Sequence, residues 1–395
     1  MIFISVNTPT KKKGIGAGKA SDLRWVEECA RTVAKFSTGH TIIVEKSTLP
    51  VKTAEAIKSI LKTAHKSKFS DSPTFEVLSN PEFLAEGSAI NDLENPDRVL
   101  IGGENKESII ALSNIYKKWV VEDKILHTNI WSSELAKLTA NAFLAQRISS
   151  INSIGALCEA TGADVREVAR AIGTDTRIGS RFLDSGPGFG GSCFKKDILN
   201  LVYLASYFGL PEVADFWEEV VKLNSWHQHR ISKLIVKQLF GTITGKKIAV
   251  LGFSFKANTN DTRESAAITI CKDLLEEGAF LAINDPKVSS NQIANDLESK
   301  PYEYPYKIAK DLNSSSIVSK WHFEKDLYKC AENADAVVVL TEWKEYSKIN
   351  WDLIAQKMRS PSWVFDARSI LLPEKVKDSG LNFWRIGDGL VKDFN

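Results

Sequence analysis

One cysteine stands in a setting suited to covalent chemistry. Cys193 follows the run Gly186–Gly191, which holds four glycines in six residues, and precedes Phe194-Lys195-Lys196-Asp197. Apolar residues recur at helical spacing from Phe194 onward, which predicts that Cys193 lies at a helix N-terminus. The helix dipole and the adjacent lysines favour a thiolate there, and a thiolate can attack a carbonyl carbon. Because the glycines leave backbone N–H groups open to a ligand, we interpret Cys193 as a nucleophile rather than a small buried residue.

Two carboxylates form a second candidate group. Glu82 and Glu86 lie in the stretch Ser79–Gly87, directly after the predicted strand Phe75–Leu78. Carboxylates at the end of a strand suit general base catalysis or the binding of sugar hydroxyls. Glutamates at this spacing are also common on solvated helix faces, so both interpretations stay open.

A lysine and an asparagine form the third group. Lys137 and Asn141 share one face of a predicted helix with Ser133 and Ala145. Their neighbours are mostly small or apolar, so we expect this face to be partly buried. A lysine there could stabilise a developing alkoxide, or it could simply extend its ammonium group to solvent.

The elements that must position these groups fall into three parts. Strands at Ile2–Val6, Thr41–Glu45 and Phe75–Leu78, with a helix from Thr53 to His65, predict a parallel sheet covered by helices. Ligands bind beyond the carboxyl ends of such strands. The loops that start at Asn7, Ser47 and Asn80 occupy those ends.

The middle of the chain is predicted to be helical, and a second sheet follows it. The segment Trp131–Thr161 predicts a helix of about 30 residues, long enough to bridge domains or to pack on a second subunit. The later strands are predicted at Ile248–Leu251, Leu281–Asn284, Ala336–Leu340 and Trp363–Phe365. We therefore divide the chain into residues 1–130, 131–230 and 245–395.

Composition excludes several classes of protein. A net charge of +2 gives no general attraction to nucleic acid or membrane, and Lys11–Lys13 are read as a solvated loop. Five cysteines argue against a disulfide framework and for a reducing compartment, so the cytoplasm is the default. No apolar run approaches the ~20 residues of a membrane span. His227 and His229 face different directions on a predicted helix, which argues against a metal site.

Several motifs together resemble one family of enzymes. They are Asn7–Thr10, Glu45–Thr48, Ser79–Gly87, Asn95–Val99 and Gly190–Asp197. On these residues the chain resembles the nucleotide-sugar dehydrogenases of the UDP-glucose/GDP-mannose dehydrogenase family, and it is most similar to the UDP-glucose branch. The resemblance implies an α/β fold of two Rossmann-like parallel-sheet domains, joined by a long central helix and a helical dimerisation region. It also implies a homo-oligomer.

The resemblance further implies oxidation of UDP-glucose to UDP-glucuronate with two NAD⁺. Asp197, with an ordered water, would take the hydroxyl proton, while Lys137 stabilises the alkoxide and Asn141 holds the sugar. Cys193 would form a thiohemiacetal and then a thioester. Glu82 would act as general base in hydrolysis, and Thr48 would help to order the water.

The same resemblance assigns the binding residues. The substrate would contact Glu82, Phe83, Leu84, Ala85, Glu86, Lys137, Asn141, Asp184, Ser185, Gly186, Pro187, Gly188, Phe189, Gly190, Phe255, Lys256 and Arg368, with Arg177 reaching the substrate of a neighbouring subunit. NAD would contact Val6, Asn7, Thr8, Pro9, Thr10, Ser47, Thr48, Glu86, Cys193, Phe194, Lys195, Lys196 and Arg263. The family follows the Lys256 position with lysine and aspartate, whereas this chain has Ala257 and Asn258, so we expect weaker UDP binding.

The start of the chain departs from the family pattern. Family members open with a strand and a Gly-x-Gly-x-x-Gly turn that receives the NAD pyrophosphate. This chain begins at what resembles a later strand, as if roughly 80 residues of βα units were lacking. We read Gly14–Ala20 as a mobile loop and not as a substitute phosphate loop. Two possibilities follow: an incomplete record of an active dehydrogenase, or a non-catalytic UDP-sugar-binding or assembly subunit.

Overall fold

The chain forms two compact units. The computed structural model describes residues 1–64, 73–302 and 320–389. The first unit comprises Met1–Phe143 and Lys196–Glu219, and the second comprises Leu144–Lys195 and Val220–Asn395. His65, the predicted end of a helix, lies outside the described residues.

The first unit is built on five strands. In chain order its elements are β1 (Ile2–Ile4), α1 (Arg24–Phe36), β2 (Thr41–Glu45), α2 (Thr53–Ala64), β3 (Phe75–Ser79), α3 (Ala89–Glu94), β4 (Val99–Gly102), α4 (Lys106–Tyr116) and β5 (Ile125–Thr128). The sheet order is β1-β2-β3-β4-β5. Neighbouring strands are parallel except that β4 runs antiparallel to β3. The predicted α/β class is therefore confirmed, and the reversal at β4 refines it.

The sheet of the first unit separates two apolar cores because successive side chains on a strand face opposite sides. On β2, Ile43 packs against the helices α1 and α2, whereas Val44 packs against α4. Val77 and Leu78 on β3 divide in the same way. Both faces are thus buried, and the polar residues that follow each strand are left at the strand ends.

The loop between β1 and α1 corrects one expectation. We read Gly14–Ala20 as mobile, but Lys11 N–H donates to the Ala20 carbonyl at 2.8 Å, and Gly18 N–H donates to the Lys11 carbonyl at 2.8 Å. A Cβ at Gly16 would stand 2.8 Å from the Tyr203 ring. The loop is closed by its own hydrogen bonds and packs on a helix, so Gly16 serves close packing.

Four helices connect the two sheets. They are α5 (Ile130–Thr161), α6 (Val165–Gly173), α7 (Phe194–Tyr207) and α8 (Pro211–Gln238). α5 has 32 residues and agrees with the predicted Trp131–Thr161 helix. The boundary between the units falls inside α5, α7 and α8. Among the described residues, no helix is both long and apolar enough to cross a membrane.

The second unit is built on six parallel strands. Its elements are β6 (Lys247–Leu251), α9 (Ala266–Glu276), β7 (Phe280–Asn284), α10 (Ser290–Asp296), β8 (Trp321–Phe323), α11 (Leu327–Cys330), β9 (Ala336–Val339), α12 (Trp351–Lys357), β10 (Trp363–Asp366), α13 (Pro373–Asp378) and β11 (Asn382–Arg385). The order is β11-β10-β9-β6-β7-β8, and every recorded pairing is parallel. Its central strands are apolar on both faces, as expected for a covered parallel sheet.

Candidate active site

An ion pair lies at the end of β3 in the first unit. Lys137 on α5 places its Nζ 3.2 Å from Oε1 of Glu82, and only 4% of Lys137 is exposed. The other carboxylate oxygen of Glu82 accepts the Leu84 N–H at 2.7 Å. Lys137 is therefore a buried, paired cation that does not extend to solvent. The segment from Glu82 to Glu86 is not helical, so the two glutamates do not form a solvated helix face.

A fully buried carboxylate lies on α7 of the same unit. Asp197 accepts a hydrogen bond from Nδ2 of Asn141 at 2.5 Å and one from Nζ of Lys196 at 2.8 Å. Asn141 lies one helical turn after Lys137, and Ser133 and Ala145 are buried on the same face of α5. The buried face predicted for these residues is confirmed. The amide and the ammonium of this face, with the Asp197 carboxylate on α7, are groups that can take a proton from an alcohol and stabilise the alkoxide.

The loops after β1 and β2 are tied to each other. Ser47 Oγ donates to the Val6 carbonyl at 2.6 Å, and Thr8 Oγ1 donates to the Thr48 carbonyl at 3.0 Å. These loops carry the predicted cofactor residues Val6–Thr10, Ser47 and Thr48 at the carboxyl ends of adjacent parallel strands. That is where a nucleotide binds in sheets of this kind.

A groove of about 500 Å³ lies beside β1, next to the loop that carries Val6 and Asn7. It is lined by Ile2, Phe3, Ile4, Ser5, Val6, Asn7, Trp25, Glu28, Cys29, Thr32 and Val33. The lining is mostly apolar and includes the indole of Trp25, which suits a flat ring. It includes no basic residue among those the structure describes, so it offers the diphosphate no cationic partner. Of the predicted cofactor residues the groove includes only Val6 and Asn7, so the fit to NAD rests on the loops at the carboxyl ends of β1 and β2.

The glycine run in the second unit is held by amide side chains. Asn152 on α5 accepts the Gly186 N–H at 2.9 Å, and Asn224 on α8 accepts the Phe189 N–H at 2.9 Å. The Gly191 N–H donates to the Arg263 carbonyl at 2.8 Å. We expected the glycines to leave backbone N–H groups open to a ligand. In the structure these N–H groups already donate hydrogen bonds to acceptors within the protein, so they are not open to a ligand.

Close packing explains the glycines instead. A Cβ at Gly188, whose φ is +120°, would stand 2.7 Å from Oδ1 of Asn224. A Cβ at Gly190 would stand 2.5 Å from the Glu264 carbonyl oxygen. Such distances exclude any side chain, so the run can lie directly on its neighbours only if these positions are glycine.

Cys193 lies where the sequence predicts, immediately before the 14-residue helix α7. Its thiol is exposed, and Sγ is 3.5 Å from Oγ of Ser192. The two lysines expected to favour the thiolate both face carboxylates: Lys195 pairs with Glu264 at 2.8 Å, and Lys196 bonds to Asp197. Both lysine charges are therefore already paired, and the predicted contribution of the lysines at Cys193 is not seen in these contacts.

The remaining predicted residues divide between the glycine run and the surface. Arg368 donates to the carbonyls of Leu340 and Phe255, both at 2.8 Å, which places it beside the predicted Phe255–Lys256 segment. Arg177 pairs with Asp175 and its side chain is 88% exposed. Arg263 pairs with Asp261 and is also exposed. The structure thus joins Arg368 to the glycine run and leaves both other arginines at the surface.

Sequence reasoning missed the residues that support the glycine run. His227 was considered only as a metal ligand, yet its Nε2 lies 2.9 Å from the Gly186 carbonyl, and only 1% of the residue is exposed. Burial, with a smaller contribution from Arg230, lowers the pKa of His227 to about 4, so the neutral ring donates this bond. Asn152 and Asn224 carried no sequence signal beyond being polar residues on predicted helical segments.

Two sheets of mainly parallel strands, with polar loops at their carboxyl ends, define a nucleotide-binding α/β protein. Family models match three consecutive parts of the chain: the NAD binding domain (residues 1–120), the central domain (131–226) and the UDP binding domain (249–373) of the UDP-glucose/GDP-mannose dehydrogenase family. The chain belongs to this family and is an NAD-dependent dehydrogenase. Because the first match starts at residue 1, the expected lack of the segment that opens this domain is not confirmed.

Individual relatives agree with this assignment. The chain is 50% identical over 400 residues to UDP-glucose 6-dehydrogenase 3 of Oryza sativa subsp. japonica, an alignment that covers 100% of this chain and 82% of the relative. It is 51% identical over 399 residues to UDP-glucose 6-dehydrogenase of Caenorhabditis elegans, covering 100% and 80%. A UDP-glucose dehydrogenase structure from Pyrobaculum islandicum superposes with a TM-score of 0.80 at 28% identity, covering 98% of this chain and 79% of that one.

Proposed function

We propose that this chain oxidises UDP-glucose to UDP-glucuronate with two NAD⁺, through a covalent intermediate on Cys193. The observation that carries the proposal is the buried Asp197 of the first unit, held by Asn141 and Lys196. In the sequence Asp197 closely follows Cys193, which is exposed. The identity of about half to named UDP-glucose 6-dehydrogenases supports the choice of sugar.

The first oxidation needs a base and a cation. Asp197, acting with a water, takes the proton of the sugar's C6 hydroxyl, and the carbon becomes an aldehyde. The ammonium group of Lys137 stabilises the alkoxide that forms as the proton leaves, and Asn141 holds the hydroxyl in place. Bound NAD⁺ supplies the hydride acceptor for this oxidation and for the second one.

The second oxidation uses Cys193. Its sulfur adds to the aldehyde carbon to give a thiohemiacetal, whose oxidation leaves a thioester on Cys193. Water then attacks the thioester carbon, with Glu82 as base and Thr48 ordering the water. The carboxylate leaves and the thiol of Cys193 is restored.

Binding roles follow the predicted residues. The glycine run, Phe255, Lys256 and Arg368 bind the UDP-sugar, and the loops after β1 and β2 hold NAD. We propose the division of the chain into residues 1–130, 131–230 and 245–395 on the same basis. Ala257 and Asn258, which follow Lys256, are proposed to weaken UDP binding.

The proposal also covers the oligomeric state, the compartment and the partners of the enzyme. Exposed apolar side chains on α5 and α8, among them Phe143 and Phe216, support a homo-oligomer. Arg177, exposed and paired only locally, is proposed to reach the substrate of a neighbouring subunit. All five cysteines are free thiols, which supports a reducing compartment such as the cytoplasm. Neither nucleic acid nor membrane is proposed as a partner.

The test is NADH formation from UDP-glucose and NAD⁺, comparing the wild-type chain with Cys193→Ser and Cys158→Ala. Loss of Cys193 should lower the rate by at least about 1,000-fold because no thioester can form. Cys158 is a buried thiol whose pKa burial raises, so its loss should leave the rate nearly unchanged. Acid quenching during turnover should trap a sugar adduct on the peptide that contains Cys193.

A non-catalytic UDP-sugar-binding subunit is not favoured, since the named relatives align over the whole chain. UDP-glucose binding without turnover by the wild-type chain would restore that alternative. Turnover in Cys193→Ser at the wild-type rate would contradict the covalent step.

A further inference from the structure

A lysine that the mechanism does not use lies beside the Glu82–Lys137 pair. Lys46 directly follows β2, and its Nζ donates to Oδ1 of Asn80 and to the hydroxyl of Tyr116, both at 3.1 Å. The Tyr116 hydroxyl itself donates to Oδ1 of Asn80 at 2.6 Å, and Nδ2 of Asn80 donates to the Leu100 carbonyl at 2.8 Å. Asn80 is fully buried. The three side chains therefore form a closed ring of hydrogen bonds at the end of the sheet.

This ring holds the start of the turn that carries Glu82. Asn80 lies two residues before Glu82, and its own N–H donates to the Glu45 carbonyl at 2.8 Å, continuing the pairing of β2 with β3. Beyond Glu82, the Phe83 ring faces Lys137, whose Nζ lies 5.4 Å from the ring centre. The turn is thus fixed at one end by the hydrogen-bonded ring and at the other by α5.

We infer that Lys46 is a positioning residue for the reaction: by its bonds to Asn80 and Tyr116 it fixes the turn that presents Glu82 to Lys137. The inference rests on the proposed function, because it assigns Lys46 to the reaction of that same pair. Lys46 acts through Asn80 and is not itself a catalytic residue. Its charge also adds a second cation near the Glu82 carboxylate.

The charge of Lys46 provides a readout that a purely structural residue would not give. Burial lowers the pKa of Lys46 to about 8; Glu82 opposes this shift and Lys137 adds to it. The third titratable neighbour is Tyr116, whose pKa burial raises, so its hydroxyl stays protonated as the pH rises past that of Lys46. Raising the pH through about 8 therefore neutralises the ammonium group of Lys46, while the hydrogen-bonded ring of Lys46, Asn80 and Tyr116 stays in place.

The test compares Lys46→Met, Lys46→Arg and the exposed-surface control Lys62→Met. Lys46→Met should lower kcat by about 30-fold and leave the KM for UDP-glucose within about twofold, since the base is misplaced and the sugar still binds. Lys46→Arg keeps a donor and a fixed charge, so it should retain at least about a third of kcat. In wild type kcat should decline as the pH rises through about 8, and Lys46→Arg, which stays charged, should lose that decline. Lys62→Met should match wild type.

A second variant and a crystal structure guard against simple misfolding. Tyr116→Phe removes one partner of Lys46 and keeps the ring volume, so kcat should fall by about threefold to tenfold. In crystals of Lys46→Met, Glu82 Oε1 and Lys137 Nζ should lie farther apart than the present 3.2 Å.

Three results would overturn the inference: kcat of Lys46→Met equal to that of Lys62→Met, a change confined to KM, or an unmoved Glu82–Lys137 pair in the Lys46→Met crystals. A wild-type chain that forms no NADH would instead overturn the proposed function. The crystal distance still decides the role of Lys46 in that case, because it needs no turnover.

Discussion

The two compact units hold their candidate site residues by different physical means. In the first unit, charged side chains face each other: Lys137 pairs with Glu82, and Lys196 with Asp197. In the second, the neutral amides of Asn152 and Asn224 hold a glycine backbone. Buried charges need their partners to offset desolvation, whereas glycine contacts need the absence of a side chain. Substitutions should therefore act through charge in the first unit and through shape in the second.

The two sheets differ in a related way. β1, at the edge of the first sheet, leaves Ile2 38% exposed and Phe3 44% exposed. In the second sheet the edge strands β8 and β11 are covered, with Trp321 0% exposed and Phe383 3% exposed. An open apolar edge stabilises a sheet less than a covered one, so the second unit is expected to be the more stable of the two.

The largest expected effect comes from shape. Gly190→Ala would place a Cβ 2.5 Å from the Glu264 carbonyl, a backbone atom that cannot move alone. We expect it to lower the free energy of unfolding of the second unit by about 2–3 kcal/mol and kcat by about 100-fold. The stability control is Gly186→Ala, whose Cβ would come no closer than 3.4 Å to a neighbouring atom, an ordinary van der Waals contact, and should cost less than about 1 kcal/mol. Thermal melts and steady-state rates give both quantities. Equal melting of the two variants would break the comparison.

Neighbouring lysines test the role of charge. Lys196→Ala leaves the fully buried Asp197 with one fewer partner and should cost about 2 kcal/mol of stability. Lys195→Ala breaks a pair whose partners, Lys195 and Glu264, are 44% and 49% exposed, so it should cost below about 1 kcal/mol. Denaturant unfolding at low and high salt measures both, and only the Lys195 effect should shrink with salt. A larger loss from Lys195→Ala would contradict the account.

The sequence predicts some of these features and not others. α5 could be predicted because its 32 residues include no proline, and the buried Lys137–Asn141 face follows from helical spacing. The strands β4, β5, β8 and β11 were missed. Each is too short to show a period, but β1, β9 and β10 are equally short and were predicted, so length alone does not explain the omission.

Long-range contacts explain the rest of what was missed. Lys46 and Tyr116 are 70 residues apart, and nothing local to either residue indicates the other. The glycine run was located correctly, but the N–H groups of Gly186 and Gly191 are bonded within the protein and are not open to a ligand as we expected. A run of glycines indicates that side chains are excluded at those positions. It does not indicate whether a ligand or the protein itself occupies the space. The antiparallel direction of β4 relative to β3 likewise depends on the path of the connection, and the residues of the strand do not indicate it.

The smallest expected effect is a difference between the two units in how much stability they lose in acid. Burial lowers the pKa of His227 to about 4 from its ordinary 6.5, and that of His322, also in the second unit, to about 4. The unfolded chain therefore binds more protons between these values, so stability is full above about pH 6.5 and is lost as the pH falls toward 4. For His227 alone the loss at about pH 5.5 is about 1 kcal/mol.

Melting curves from neutral to acid pH check this in wild type and in His227→Gln. Glutamine can donate to the Gly186 carbonyl without titrating, so the variant should lose about half of the acid sensitivity, and His322 accounts for the remainder. In the first unit the buried Glu45 behaves in the opposite sense: burial and the neighbouring Glu134 raise its pKa, so its contribution to stability grows in acid. Acid should thus weaken the second unit first, and a His227→Gln chain as acid-sensitive as wild type would show that the bond to Gly186 is not the cause.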